Sequence, residues 1–231
     1  MKLANATVLI TGANRGVGLA FARAAVARGA RKVYAAARNP STITLAGVEA
    51  IQLDVTRPED VAAAAQRCGD VTLLINNAGT LRLGDYLAAD AIESARAHME
   101  TNFLGPLRLC QAFAPVLARH GGGAIVNVLS ALSWVNMQQF GVYGASKSAA
   151  WAMTNGVRQE LRAQHTQVLA MHMGYVDTDM TSSFDVAKVT PDEVVRQTLD
   201  ALEVGAEEAL ADETAKYVKR GLSAEPGVYL A

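Results

Sequence analysis

Short apolar runs alternate with longer amphipathic stretches from one end of the chain to the other, and this alternation limits the possible folds more than any other feature. The apolar runs lack strict polar alternation, which is typical of strands covered on both faces. Repeated strand–helix units predict a parallel sheet with right-handed crossovers and helices on both faces. The predicted strands are Ala6–Ile10, Lys32–Ala36, Ala50–Leu53, Val71–Ile75, Ala124–Leu129 and Gln167–Met171, with a weaker seventh at Glu208–Ala211.

The amphipathic stretches between these runs have the apolar spacing of helices. No linker, repeat or low-complexity segment divides the 231 residues. We therefore predict one α/β domain over residues 1–231, with three α/β/α layers around a doubly wound parallel sheet of about seven strands. The predicted helices are Val17–Arg28, Pro58–Arg67, Ala91–Arg119, Tyr143–Gln164, Pro191–Val204 and Glu213–Leu222, of which the third could break near Pro106.

The composition is that of a folded protein, because 51% of the residues are hydrophobic and 19% are charged, which excludes disorder. A net charge of −1 gives no electrostatic basis for nucleic acid or an anionic membrane as partner. No apolar stretch approaches the roughly 18–20 residues of a membrane span. The segment from Met1 to Gly12 does not fit a signal peptide.

Cysteine and histidine usage argues against a metal site. Cys68 and Cys110 lack metal-ligand spacing, and we interpret both as buried thiols in a reducing compartment. His165 and His172 have no metal-like cluster around them and are interpreted as structural or surface residues. We therefore expect a cytoplasmic protein without a metal.

A glycine-rich turn follows the first predicted strand and opens the first predicted helix: Thr11-Gly12-Ala13-Asn14-Arg15-Gly16-Val17-Gly18. Gly12 permits a tight turn, while Gly16 and Gly18 let the backbone approach a pyrophosphate and let the helix pack on the sheet. The helix N-terminus adds unpaired N–H groups and a favourable dipole. A plain strand–helix turn would rarely need three glycines so placed, so the turn predicts a dinucleotide site.

The end of the second predicted strand bears on which dinucleotide binds. Many dinucleotide folds place an Asp or Glu there to hold the ribose 2′-hydroxyl, whereas this strand ends at Ala37 and Arg38. Arg38 and Arg15 could hold a 2′-phosphate by charge-assisted hydrogen bonds, and a carboxylate would repel it. We therefore favour NADP(H), with NAD(H) as the alternative if both arginines are solvated surface residues.

Tyr143 and Lys147 are four residues apart, and Ser130 lies thirteen residues before the tyrosine. On a helix this spacing puts both side chains on one face. A phenol has a pKa of about 10, and a nearby ammonium lowers it by about 1–3. A hydroxyl of Ser130 at the end of a neighbouring strand could hold a substrate oxygen against the phenol. The Tyr–Lys pair alone could equally be a surface helix pair, so the other motifs decide its meaning.

Together these motifs resemble the short-chain dehydrogenase/reductase family in its short single-domain form, which has a Rossmann fold. The resemblance covers nearly the whole chain. Its motifs are Thr11-Gly-x-x-x-Gly-x-Gly18, Asp54, Asn76-Asn77-Ala78-Gly79, Asn102, Ser130, Tyr143-x-x-x-Lys147 and Gly174-x-Val176-x-Thr178. One departure is Met173, where the family usually has proline. Because proline stiffens a turn, we expect a looser loop on the nicotinamide side.

The resemblance implies roles in cofactor binding. Asp54 and Val55 would contact the adenine ring, and Val176 and Thr178 would contact the nicotinamide carboxamide. The turn and the resemblance together predict these cofactor-binding residues: Gly12, Asn14, Arg15, Gly16, Val17, Gly18, Arg38, Asp54, Val55, Asn77, Ala78, Gly79, Tyr143, Lys147, Gly174, Val176 and Thr178.

The resemblance also implies the chemistry, which is hydride transfer between nicotinamide C4 and a carbonyl or alcohol carbon. In the reductive direction Tyr143 would donate a proton to the developing alkoxide, and Ser130 would hydrogen-bond the substrate oxygen. Lys147 would lower the pKa of Tyr143 and bind the nicotinamide ribose. Asn102 would hold a water in a proton relay beneath Lys147. These four are the predicted catalytic residues.

The resemblance implies that the segment after Thr178 forms a mobile lid over the substrate, and in this chain it is short before Pro191. A short lid and apolar walls suggest a small or medium apolar aldehyde or ketone as substrate. Five apolar side chains could line its site, although each could instead belong to the core. These are Trp134, Met137, Phe140, Met180 and Phe184.

Two other functions stay open. One is an NAD-dependent alcohol oxidant, and the other is a nucleotide-sensing or signalling protein with little turnover. The complete catalytic set argues against the sensor, which has no use for a proton relay. Family members often pair through the helices that carry Asn102 and Tyr143, so the resemblance implies a homodimer or homotetramer.

Overall fold

Seven parallel strands form the central sheet of the computed structural model, which describes residues 1–230. The strands are β1 (Thr7–Thr11), β2 (Lys32–Ala37), β3 (Glu49–Gln52), β4 (Leu73–Asn76), β5 (Gly123–Val128), β6 (Thr166–His172) and β7 (Glu208–Leu210). Their order across the sheet is β3-β2-β1-β4-β5-β6-β7. The predicted doubly wound parallel sheet is confirmed, including its weak seventh strand.

Helices cover both faces of this sheet and complete the three layers. They are α1 (Gly16–Ala27), α2 (Pro58–Arg67), α3 (Ala91–Met99), α4 (Gly105–Arg119), α5 (Gly141–Glu160), α6 (Pro191–Glu203) and α7 (Glu213–Gly221). Residues 91–119 are helical as predicted, and a turn of π-helix at Glu100–Leu104 separates α3 from α4. The break lies next to Pro106, where the sequence allowed one.

The alternation of side chains along each strand fills two apolar cores. In β1, Val8 and Ile10 point into one core, which also contains residues of α1 and α6. Leu9 points into the other, together with residues of α2, α4 and α5. All five residues of β1 are buried, as expected for a central strand with helices on both faces.

Strand order reverses at β1, whose neighbours are β2 on one side and β4 on the other. The connections from β1 and β4 therefore leave in opposite directions and open a crevice beyond the carboxyl ends of these strands, where ligands of open α/β sheets bind. The predicted turn at Gly12 and the segment from Asn76 to Gly79 both lie at this crevice.

A buried chain of polar side chains links β4, β5 and α5. Asn76 Nδ2 donates to Asn127 Oδ1 at 2.8 Å. Asn127 Nδ2 donates in turn to Thr154 Oγ1 at 3.0 Å, and Thr154 Oγ1 donates to the Ala150 carbonyl at 2.7 Å. The Asn76 side chain thus points into the interior, so within the Asn76–Gly79 motif it is a structural residue.

Candidate active site

The turn after β1 requires glycine at three positions. Gly12 and Gly16 have φ values of +64° and +54°, which disfavour other residues. A Cβ on Gly18 would lie 2.1 Å from the Gly12 carbonyl oxygen. No side chain caps the start of α1, as far as the described residues show. Its first N–H groups are thus available to an anion, and the turn fits a dinucleotide pyrophosphate.

The Asn77–Gly79 segment is fastened directly to the glycine turn. Asn77 Nδ2 donates to the carbonyls of Thr11 and Gly12 at 2.9 and 3.2 Å. The hydroxyl of Thr11 accepts from the N–H groups of Asn77 and Ala78, both at 3.0 Å. The predicted residues of two motifs therefore form one rigid unit. The sequence reasoning gave no role to Thr11, although its position at the end of β1 could have suggested one.

Asp54 and Val55 follow β3 and are held in place by local contacts. Asp54 Oδ1 accepts from the Thr56 N–H at 3.0 Å and from its hydroxyl at 2.8 Å. Burial acts to raise the pKa of Asp54, but these bonds and the charge of Arg38 outweigh it, and the pKa is lowered. Val55 is buried and packs where a Cβ on Gly105 would sit.

The two predicted arginines differ in their surroundings. Arg38 is exposed just beyond β2, and its positive charge is near enough to Asp54 to lower the pKa of that carboxyl. Arg15 instead forms an ion pair with Asp179 at 3.0 Å, in which both side chains are mostly exposed. A pair this exposed is worth at most about 1 kcal/mol, so it does not commit Arg15 to Asp179.

Tyr143 and Lys147 lie on one face of α5, as the spacing predicts. The Nζ of Lys147 is 5.8 Å from the centroid of the Tyr143 ring, and it donates to the Val128 carbonyl at 2.9 Å. The ring of His98 meets the Tyr143 ring edge to face, with centroids 6.1 Å apart. The lysine is nearly buried, with 6% of its surface exposed.

Burial dominates the electrostatics of this pair. It raises the pKa of Tyr143 to about 12, against the effect of a hydrogen bond with Ser130. It lowers the pKa of Lys147 to about 8. The chain by itself therefore does not lower the pKa of Tyr143, contrary to the expectation from the i,i+4 spacing. At neutral pH the phenol holds its proton and the lysine remains mostly charged.

Replacing Lys147 by Met should make the fold more stable near pH 7. Below about pH 8 the folded protein must keep a buried ammonium, which costs about 3 kcal/mol relative to the unfolded chain. This cost shrinks as the pH rises from about 8 towards 10.5, because only the folded lysine has lost its proton there. The Val128 carbonyl loses its donor, which offsets about 1–2 kcal/mol.

We expect a gain of roughly 1–2 kcal/mol near pH 7 and almost none near pH 9.5, measured by urea unfolding at both pH values. A loss of stability of equal size at the two pH values would contradict the cost of the buried charge.

Ser130 lies two residues after the end of β5, and its hydroxyl is held by a backbone N–H group of the following turn. Its Oγ accepts from the Leu132 N–H at 3.1 Å, which leaves the hydroxyl hydrogen free to be donated. The N–H of Ser130 donates to Ser133 Oγ at 3.3 Å. Ser133 thus supports the backbone of Ser130, and the catalytic role of Ser130 stays a prediction.

Asn102 lies in the π-helical turn, a feature often found at functional sites. Its Oδ1 accepts from the Thr80 N–H at 2.9 Å. Its Nδ2 donates to the Thr80 carbonyl at 3.0 Å and to Ser146 Oγ at 2.9 Å. The side chain therefore links Thr80, in the loop after β4, to Ser146 on α5. The water relay that the family resemblance implies stays a prediction.

The loop after β6 lies against the glycine turn. A Cβ on Gly16 would be 3.2 Å from Thr178 Cγ2, and Val176 is buried. The Met173 carbonyl accepts from the Ala131 N–H at 2.9 Å, and the looser loop expected there stays a prediction. The N–H of Gly174 also donates to the carboxylate of Asp212.

Of the five apolar side chains considered for the substrate wall, two come together. Phe140 and Phe184 have ring centroids 5.4 Å apart, and both adjoin Tyr175, at 6.3 and 5.5 Å. Trp134 instead stacks on His172. Met137 and Met180 are 49% and 45% exposed.

The cysteines and the search for metal and membrane elements give simple results. Cys68 and Cys110 are free and buried. Within residues 1–230, no three His, Cys, Asp or Glu side chains are grouped closely enough to hold a metal ion. Nor does any helix in that range have the length and apolar character to cross a membrane.

Comparison with known proteins places the chain in a family. Residues 6–188 match the short chain dehydrogenase family. The short-chain dehydrogenase ptmH of Penicillium ochrochloron is 37% identical over 182 residues, which cover 74% of this chain and 66% of that protein, just under two thirds of its length. Galactitol 2-dehydrogenase (L-tagatose-forming) of Cereibacter sphaeroides is 36% identical over 191 residues, covering 78% of this chain and 75% of that protein.

A solved structure agrees with these sequence matches. A short chain dehydrogenase from Burkholderia cenocepacia J2315, in complex with NADP, is 40% identical and superposes with a TM-score of 0.94 over 98% of this chain and 96% of that one. The chain belongs to the short chain dehydrogenase family. The predicted enzyme class, oxidoreductases that act on CH–OH or C=O groups, is confirmed at the level of the family.

Proposed function

We propose that the protein is an NADP(H)-dependent carbonyl reductase or alcohol dehydrogenase for small or medium apolar aldehydes and ketones. The observation that carries this proposal is the convergence of Ser130, Tyr143 and Lys147 beside a crevice edged by the glycine turn. We further propose a single-domain, cytoplasmic homodimer or homotetramer. The apolar side chains of Leu87 and Ile92, which are 99% and 67% exposed, would be covered in such an assembly.

The residues around the crevice fit a dinucleotide. When bound, the nicotinamide would supply the hydride for reduction or accept it for oxidation. The glycine turn would hold the pyrophosphate with backbone N–H groups, because no side chain in the described residues caps the first N–H groups of α1. The adenine would lie against Asp54 and Val55, and the carboxamide against Val176 and Thr178.

Side chains of the protein itself would supply the proton for carbonyl reduction. Burial keeps Tyr143 protonated at neutral pH, so the phenol is a proton donor for a carbonyl oxygen that gains negative charge. Ser130 would donate its free hydroxyl hydrogen to the same oxygen. The charge of Lys147 lies close enough to stabilise the phenolate that remains. General acid catalysis of this kind contributes about 10²–10⁴-fold, and positioning would supply the rest.

Replacing Arg38 by Ala should narrow the difference between the Kd values of NADPH and NADH. We propose that Arg38 binds the 2′-phosphate, since it is exposed at the end of β2 and no acid occupies its position. Loss of one charge-assisted hydrogen bond costs about 1.5–3 kcal/mol, which is roughly 10–100-fold in NADPH affinity. Binding can be measured by the fluorescence of the reduced cofactors.

A matched control is Arg220→Ala, which removes an equally exposed arginine from α7. It should leave both Kd values unchanged. An Arg38→Ala variant that keeps the full preference for NADPH would contradict the proposed phosphate contact and would favour the NAD-dependent alternative.

An aromatic cluster beside α5 supports the proposed substrate class. Phe140 immediately precedes α5, and its ring packs with those of Tyr175 and Phe184 from the loop after β6. This wall suits alkyl and aryl groups. The test is a panel of alkyl, aryl and charged carbonyl compounds with NADPH, followed at 340 nm. Turnover of one charged, polar substrate alone would contradict the proposal.

A further inference from the structure

A buried imidazole lies directly behind Ser130. His172 is the last residue of β6 and is fully buried. Its Nδ1 is 3.1 Å from the Ser130 carbonyl oxygen. Because a carbonyl only accepts, Nδ1 carries the hydrogen and the tautomer is fixed. The Nε2 atom has no hydrogen-bond partner in the range 1–230.

The surroundings of His172 hold the ring in place and keep it neutral. Its ring stacks on Trp134 with centroids 3.7 Å apart and an interplanar angle of 18°. Lys219 lies 4.9 Å from the Trp134 ring centroid and pairs with Glu208 at 2.9 Å. Burial lowers the pKa of His172 to about 3. A neutral donor therefore faces the Ser130 carbonyl near neutral pH, and the Glu208 carboxylate lies 3.9 Å from the far ring nitrogen, Nε2, beyond hydrogen-bond distance.

The contact acts on the backbone that presents the Ser130 hydroxyl. The neighbouring N–H groups of Leu129 and Ala131 donate to the carbonyls of Met171 and Met173, at 2.7 and 2.9 Å. The peptide plane between Ser130 and Ala131 is thus fixed from two directions, by the Met173 carbonyl and by the imidazole of His172. The Ser130 side chain extends from this plane towards the phenol of Tyr143.

We propose that His172 is a positioning residue for the reaction, which holds the Ser130 carbonyl so that the hydroxyl of Ser130 stays aimed at the substrate oxygen. The inference rests on the proposed role of Ser130. It replaces the interpretation of His172 as merely structural or on the surface. The imidazole itself touches neither the phenol nor the substrate, so its effect must pass through Ser130.

Two substitutions separate this role from plain packing. His172→Phe keeps a ring that can stack on Trp134 but lacks the donor. His172→Asn keeps an N–H near the position of Nδ1 but loses most of the stacking. We expect kcat to fall about 10-fold in His172→Phe, with KM for the cofactor unchanged. In His172→Asn we expect kcat within about threefold of the unmodified enzyme, together with the larger loss in Tm.

The reverse order, with activity following stability in both variants, would overturn the proposal. If His172→Phe does not fold, His172→Asn alone decides, because a tenfold loss of kcat in the folded Asn variant would also overturn it. A double-mutant cycle gives the strictest test. Adding His172→Phe to Ser130→Ala should lower kcat no further, and a full additional loss would show that His172 does not act through Ser130.

The assay uses any alcohol–ketone pair and cofactor that the unmodified enzyme turns over. An incorrect choice of cofactor or substrate class under the proposed function is therefore seen in the unmodified enzyme. An incorrect role for His172 is seen only in the variants.

Discussion

Tyr143→Phe should reduce kcat by about 10²–10⁴-fold, the usual contribution of a general acid. The variant loses only the hydroxyl, and the remaining ring can keep its edge-to-face contact with His98, whose centroid is 6.1 Å away. Dinucleotide affinity should stay within a few-fold, because the glycine turn and the Asn77–Gly79 segment do not depend on the phenol. Single-turnover kinetics would place the loss in the chemical step.

The control is Tyr34→Phe, which removes the hydroxyl of a second tyrosine, one that is buried away from the crevice. The hydroxyl of Tyr34 accepts a hydrogen bond from Lys32 on β2 and donates one to Asp70, which precedes β4. Both partners lie away from the crevice. We expect that variant to lose some stability and to retain its kcat. Full activity of Tyr143→Phe would remove the assignment of the proton donor.

Gly18→Ala should abolish useful dinucleotide binding, with a rise in Kd of more than about 100-fold. The added Cβ would lie 2.1 Å from the Gly12 carbonyl oxygen and 2.5 Å from Asn77 Nδ2. Neither atom can move freely, because Asn77 Nδ2 bonds the carbonyls of Thr11 and Gly12. The turn must open, and we also expect a loss of about 1–3 kcal/mol in the free energy of unfolding, as for other overpacked sites.

Gly156→Ala is the control for the same chemical change. Gly156 lies within α5, and an added Cβ there would meet nothing within 4 Å. Alanine favours a helix by about 1 kcal/mol over glycine, so this variant should be slightly more stable and bind dinucleotide normally. A Gly18→Ala protein with unchanged Kd would show that the turn is not the pyrophosphate site.

Much of this fold could be predicted because its information is local. Runs such as Val71–Ile75 indicate buried strands without knowledge of their neighbours, and Gly12, Gly16 and Gly18 indicate a backbone shape by themselves. The π-helical turn could not be predicted, because one extra residue at Glu100–Leu104 hardly disturbs the apolar periodicity of a long amphipathic stretch. The turn carries Asn102, which bonds to Thr80 and Ser146, and neither partner is a neighbour in sequence.

The electrostatics of the site were less predictable than its residues. Spacing shows that Lys147 and Tyr143 share a helical face, but it does not show that Lys147 is buried and that Tyr143 is half-buried beside it. Burial determines the pKa of each group, and it opposes the charged form in both cases. The contact of His172 with the Ser130 carbonyl could not be predicted either, because only the tertiary structure brings these two residues together.

The amide chain through Asn76, Asn127 and Thr154 has a consequence for how α5 is seated. A helix that packs on a sheet only through apolar side chains could shift by one turn to another packing position of similar free energy. Sliding α5 by a turn would leave the Asn127 Nδ2 donor without its acceptor in the interior, at about 1–3 kcal/mol for the unmet group, whereas the Thr154 hydroxyl would keep its bond to the Ala150 carbonyl of the same helix. These buried hydrogen bonds thus fix the position of α5 along its axis relative to the sheet.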